Sequence, residues 1–182
     1  GRHQYQNAAT AIATLRAIAP EIPNAAFDAG MKNVDWPARL QRVSRGRLVA
    51  LAPAGSEIWI DGGHNEDGAR VAAEAMGERA ARSDAPLVLI CGLLANKDAR
   101  GYLAHFTDLA NRVIAVPPPG DQYGRAPANV GEVARDLGLF ASEAATIEEA
   151  LAQVAKSHWR EPPRILICGS LYLAGAALAL NG

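Results

Sequence analysis

The chain has 182 residues, enough for one ordinary domain or for one domain joined to a fragment of another. With 18 Lys and Arg against 19 Asp and Glu, its net charge of −1 excludes a binder that works by broad neutralisation of nucleic-acid phosphates. Hydrophobic residues make up 49% and charged residues 20%, which excludes a disordered chain. The longest apolar run, Leu171 to Leu180, is about half of a membrane span. Two cysteines are too few for a disulfide framework or a four-cysteine zinc site. The sequence opens on Gly inside a helix-like pattern, which suggests a piece of something longer. It shows no signal-peptide pattern, so the expected compartment is the cytoplasm.

In chain order, residues 8–19 predict a helix with Ile12, Leu15 and Ala19 on one face and Pro20 ending the run. A shorter helix is expected over 23–30, closing at Gly30. Residues 38–43 and 47–52 read as two strands around Ser44-Arg45-Gly46, a hairpin signal. A third strand covers Glu57 to Asp61. From there strands and helices alternate: helix 66–82, strand 87–91, a helix from about Asp98, strand 112–116, helix 129–137, helix 146–158, strand 164–168 and an apolar helix 171–180. Thr146 and Glu149 form a capping box at the start of their helix. Strands separated by helices imply right-handed βαβ units. The expected fold is therefore α/β: a Rossmann-like, mainly parallel sheet with helices on both faces and an antiparallel hairpin at one edge.

In such a sheet, ligands gather beyond the carboxyl ends of the strands. Three strand ends carry unusual residues. The first is Asp61-Gly62-Gly63-His64-Asn65. Two readings fit it: a ligand site, or a turn in which Asn65 caps the next helix and Asp61 satisfies backbone amides. The second is Gly169-Ser170. A helix start there offers amides and a hydroxyl to a carboxylate or phosphate, and equally makes Ser170 a plain N-cap. The third is Gly92 to Asp98, with Asp98 as an N-cap and Lys97 either solvated or facing an anion. The chain contains no Gly-Lys-Ser/Thr, hence no phosphate loop of that kind. Arg39, Arg42, Arg45 and Arg47 cluster on the expected hairpin, where alternation points them to different faces. Arg39, held by Trp36-Pro37-Ala38, is the one to single out for an anion. Cys91 and Cys168 end apolar runs and read as buried thiols. His3, His64, His105 and His158 have no metal-ligand spacing.

Taken in order, Gly1-Arg2-His3-Gln4 with Asn7-Ala8-Ala9, then Trp36-Pro37-Ala38-Arg39-Leu40-Gln41, Asp61-Gly62-Gly63-His64-Asn65 and Gly169-Ser170-Leu171-Tyr172 resemble folylpolyglutamate synthase/dihydrofolate synthase, a branch of the Mur ligase superfamily. The resemblance covers nearly the whole chain but only the C-terminal part of that enzyme. It implies residues 1–31 as the helical tail and linker of a central ATPase domain and residues 32–182 as the C-terminal Rossmann-like domain. The full enzyme joins L-glutamate to dihydropteroate or a folate with ATP and Mg²⁺, through an acyl phosphate. Its upstream domain carries the phosphate loop, the metal ligands and most pterin contacts, so this part holds no metal and no catalytic residue and is inactive alone. The resemblance also implies that Asn7, Arg39 and Asp61 bind ATP, at the adenine, the phosphates and the ribose respectively, and that His64 and Ser170 place glutamate. Two departures stand out: Ala38 where the family has Gly, and Glu66 where Pro follows the His-Asn pair. The competing readings are the C-terminal domain of a peptidoglycan-type Mur ligase and a non-catalytic nucleotide-binding module.

Overall fold

The computed structural model describes residues 3–120 and 123–182, with His3 by its backbone alone. Gly1 and Arg2 of the opening motif lie outside the described residues. The chain divides into two compact units, Gly1–Pro37 and Ala38–Gly182.

The first unit holds two helices, α1 (His3–Ile18) and α2 (Asn24–Asn33). Helix α1 stops before Pro20, which cannot donate to the helical ladder. Helix α2 runs three residues past Gly30. Gly30 is tolerated inside the helix, since helical φ is open to it as to any residue. The Arg16 guanidinium bonds Asn24 Oδ1 at 2.9 Å and lies 5.5 Å from the Phe27 ring centroid. Phe27 is the buried anchor of α2, whereas Leu15 and Ile18 of α1 are exposed.

The second unit is one six-stranded sheet wrapped by helices. Its elements are β1 (Gln41–Val43), α3 (Arg47–Leu51), β2 (Glu57–Ile60), α4 (Glu66–Ala80), β3 (Leu87–Cys91), α5 (Ala99–Ala104), β4 (Ala110–Ala115), α6 (Pro127–Asp136), β5 (Ala141–Glu143), α7 (Ile147–Lys156), β6 (Arg164–Cys168) and α8 (Leu171–Asn181). The strand order is β1-β2-β6-β3-β4-β5. Among the described strand pairs of this sheet only β1–β2 is antiparallel.

Strand parity builds two cores. Trp59, Leu89, Cys91, Leu166 and Cys168 face one side, where they pack with Met76 of α4, Tyr102 of α5 and Val130 of α6. Ile58, Ile60, Val88, Ile90, Ile165 and Ile167 face the other, with Leu48 of α3, Leu151 of α7 and Leu173 of α8. Both faces of β3 and β6 are therefore covered. This is why their sequences are continuous apolar runs rather than alternating ones.

The antiparallel edge is present, but the hairpin around Ser44–Gly46 is not. β1 pairs with β2, Gln41 opposite Ile60 and Val43 opposite Ile58, while Arg47–Leu51 is a short helix. The cause is a contact remote in sequence. Asn181, at the end of α8, accepts from Leu48 N at 3.2 Å and donates to the Arg45 carbonyl at 3.0 Å, so it caps the start of α3. Gly46, at φ 102, makes the turn there. Strand β5 carries Ala-Ser-Glu, with no β-branched or aromatic residue to announce it.

Candidate functional site

β2, β6 and β3 are neighbours in the sheet, so their carboxyl ends open side by side. The chain reverses direction across the sheet here. α4, following β2, lies on one face and α8, following β6, on the other. Such a switch point leaves a crevice between the two connections.

At the exit of β2, Asp61 is 7% exposed and continues the ladder by donating its amide to Ile167 O at 2.9 Å. Its carboxylate accepts two backbone amides, Leu40 N on Oδ2 at 2.9 Å and Gly63 N on Oδ1 at 2.7 Å. Gly62 N in turn donates to Ala38 O at 2.8 Å. The segment 38–40 is thereby laid against the β2 exit. Ala38 (φ 59) and Leu40 (φ 48) both occupy the left-handed region, which costs about 1 kcal/mol or more for a residue with a Cβ. Glycine would enter that region freely. Between them Arg39 is exposed and, among the described residues, pairs with no acid.

His64 is half-buried. Its Nδ1 lies 3.2 Å from the Gly62 carbonyl, a contact that requires the proton on Nδ1 and leaves Nε2 free to accept in the neutral ring. Asn65 caps α4 by accepting from Gly68 N at 2.9 Å, and Glu66 and Asp67 complement the positive end of that helix.

At the exit of β6, Gly169 has φ 100, and a Cβ on it would stand 2.8 Å from Gly92 O. Ser170, 1% exposed, caps α8 by accepting from Tyr172 N at 3.1 Å. At the exit of β3, Asp98 caps α5 through Arg100 N and Gly101 N, both at 3.0 Å. The Cys91 and Cys168 thiols are free and buried at the two strand ends. Its neighbour Cys168 and burial together push the Cys91 thiol well above its ordinary range, which keeps it protonated and inert.

Arg39, Asp61, His64 and Ser170 thus stand on the second unit, at the exits of β2 and β6 or on the segment tied to them. Asn7 stands on α1 of the first unit, where its amide donates to Gln4 Oε1 at 3.3 Å. Sequence reasoning missed one feature of this edge. A cavity of about 400 Å³ opens by the exits of β3 and β4, lined among others by Leu94, Asn96, Pro119, Tyr123 and Tyr172. Arg125 ties the loop after β3 by donating to Ala95 O at 3.0 Å and Lys97 O at 2.7 Å. The only sequence signal was the pair of loops at strand ends, Gly92–Asp98 and Pro117–Gly120. Among the described residues no group of three or more His, Cys, Asp or Glu is placed to hold a metal. No helix among them is long and apolar enough to cross a membrane.

The sheet and its helices make a doubly wound α/β domain with an open, polar carboxyl edge, and comparison with known proteins specifies its family. Residues 39–171 match the family described as Mur ligase, glutamate ligase domain. The chain belongs to that family. It is similar to folylpolyglutamate synthase of Lacticaseibacillus casei, 31% identical over 180 residues, which are 97% of this chain and 38% of that protein. It is also similar to dihydrofolate synthase/folylpolyglutamate synthase of Bacillus subtilis, 36% identical over 87 residues, 46% of this chain and 18% of that one. Among solved structures it superposes on Mycobacterium tuberculosis folylpolyglutamate synthase complexed with ADP and AMPPCP, with a TM-score of 0.79 and 26% identity, covering 100% of this chain and 40% of that one. The chain spans about two fifths of the length of its full-length relatives.

Proposed function

We propose that this chain is the C-terminal part of an ATP-dependent ligase that adds L-glutamate to dihydropteroate or a folate. The observation that carries this is the likeness to folylpolyglutamate synthase along 97% of the chain, which takes in every residue of the polar carboxyl edge. In this reading ATP transfers its γ-phosphoryl group to the acceptor carboxylate, giving ADP and an acyl phosphate. The glutamate amine attacks the acyl carbon, and inorganic phosphate leaves as the amide forms.

The chain's own residues bind and orient. Arg39, with no acidic partner among the described residues, would meet the ATP phosphates, where a guanidinium makes charge-assisted bonds. Asp61 keeps lone pairs on both oxygens beyond those used by Leu40 N and Gly63 N, and these suit a ribose diol. His64 Nε2 and the Ser170 hydroxyl face the placement of glutamate, and Asn7 the adenine. Mg²⁺ would be held by the ATPase domain, which also carries the phosphate loop. We place residues 1–31 as the helical tail and linker of that domain and 32–182 as the ligase C-terminal domain. The apolar stripe of α1, with Leu15 and Ile18 exposed, is the surface that would pack on it. The location is cytoplasmic, with no nucleic-acid or membrane partner.

The test uses the complete gene product with ATP, Mg²⁺, L-glutamate and either dihydropteroate or tetrahydrofolate. Glutamate-dependent phosphate release and a product heavier by one glutamyl residue are expected, with none from the 182-residue chain alone. Turnover of a nucleotide-linked muramyl substrate in place of both would assign the protein to the peptidoglycan branch. ATP binding without turnover of any acceptor would make it a binding module.

A further inference from the structure

Among the described residues Arg39 has no side-chain partner to hold it; what is fixed is its backbone. Two successive departures into left-handed φ, at Ala38 and Leu40, bracket it, and such a conformation persists only where its surroundings impose it. Two side chains impose it here. Asp61 Oδ2 accepts from Leu40 N at 2.9 Å, and Gln41 Oε1 accepts from Ala38 N at 3.0 Å. Asp61 Oδ1 holds Gly63 N at 2.7 Å at the same time, so one carboxylate joins the Arg39 turn to the β2 exit. Ala38 and Leu40 are themselves buried, which leaves Arg39 as the residue the turn presents.

We propose that Asp61 and Gln41 are positioning residues for Arg39: their side chains set the turn that carries the guanidinium to the nucleotide. This rests on the proposed role of Arg39 at the ATP phosphates. Asp61 then acts on the nucleotide twice, through its own lone pairs and through Arg39, and the ribose and phosphate ends are read through one carboxylate. Asn cannot replace it. Asn has one accepting oxygen, and its amide would face the N–H of Leu40 or Gly63, donor against donor. At position 41 Glu keeps the acceptor that Gln supplies, and Ala does not.

The test is a double-mutant cycle on the complete gene product, following kcat/KM for ATP, KM for glutamate and the melting temperature. Arg39→Ala sets the scale, with an expected fall of about ten- to hundredfold in kcat/KM for ATP. Asp61→Asn is expected to fall in the same range with KM for glutamate unmoved. Together the two should lose about tenfold less than the product of their separate losses, because the second removes a support that no longer has a load. Gln41→Ala should lower kcat/KM for ATP about threefold or more, Gln41→Glu should restore it, and Gln41→Ala should add nothing to Arg39→Ala. Fully multiplicative losses would overturn the proposal, since Asp61 would then act on the nucleotide directly. So would full activity of both Asp61→Asn and Gln41→Ala beside an impaired Arg39→Ala. A silent Arg39→Ala would instead remove the phosphate role itself. Should Asp61→Asn fail to fold, the Gln41 and Arg39 pair completes the cycle.

Discussion

β2 and β6 run side by side, and their two ends are built on opposite principles. At the amino end, Glu57 and Arg164 face each other in register, and the Glu57 carboxylate is shared by two arginines. Arg164 Nε, on a side chain only 5% exposed, meets Glu57 Oε2 at 3.3 Å, and Arg42 meets Oε1 at 3.1 Å. The Trp59 indole donates to the same carboxylate at 3.3 Å, and Arg79 lies 4.1 Å from the Trp59 ring centroid. At the carboxyl end, among the described residues, the Asp61 carboxylate accepts only backbone amides, and Arg39 stands without an acid. The same pair of strands is thus closed electrostatically at one end and left open at the other. A closed network serves the fold. An open one, held in a costly backbone conformation, is what the proposed nucleotide site requires. Substitutions at the amino end should therefore change stability, and substitutions of Arg39 and Asp61 at the carboxyl end should change kinetics.

The largest expected stability loss sharpens this division, because it belongs to backbone at the carboxyl end. Gly169→Ala forces a Cβ against the Gly92 carbonyl at φ 100 and should cost about 3 kcal/mol in urea denaturation. Glu57→Ala comes next. It leaves the buried Arg164 short of its partner, but Glu57 is itself 35% exposed, so about 1–2 kcal/mol is expected, with kcat/KM for ATP unchanged. A kinetic defect without a stability loss there would break the comparison. pH refines the same pair. Burial pushes the Glu57 carboxyl up, but the bonds from Trp59 and Arg164 and the charges of Arg42 and Arg164 outweigh it and hold it below its ordinary value. A depressed acid contributes stability above its unfolded value and loses it as pH falls through the folded one. The stability gap between the wild type and Glu57→Gln should therefore be full at pH 7 and should narrow below about pH 4.5. Loss of a helix cap is smaller again: Asn65→Ala and Ser170→Ala should each cost about 1 kcal/mol. A raised KM for glutamate in Ser170→Ala alone would separate a substrate contact from a cap. Smallest is Ala38→Gly. Relief at φ 59 offsets the greater freedom of the unfolded glycine, so stability should move by no more than about 0.5 kcal/mol.

Strands β3 and β6 and the helices capped by Asp98, Thr146 and Ser170 were legible in the sequence because local signals and burial agree there. The region 38–52 was not, because its structure is set from elsewhere. Asn181 caps α3 from 133 residues away, and Asp61 bonds Leu40 from 21 residues away. The same holds for the site. Asp61 and His64 could be singled out from a polar turn after a strand. The clamp on Arg39 could not, because nothing in the sequence shows that Ala38 and Leu40 take positive φ. Of the two readings offered for Asp61, the structure shows the one in which it satisfies backbone amides, and one of those amides, Leu40 N, belongs to the turn that carries Arg39.

The central claim, that the carboxyl edge of this sheet receives the nucleotide, is tested most directly by titrating a non-hydrolysable ATP analogue into the complete gene product by calorimetry, as wild type and as Arg39→Ala. The predicted result is binding weakened about tenfold or more in the variant, with an unchanged melting temperature in the absence of nucleotide. Equal affinity in the two proteins would contradict it.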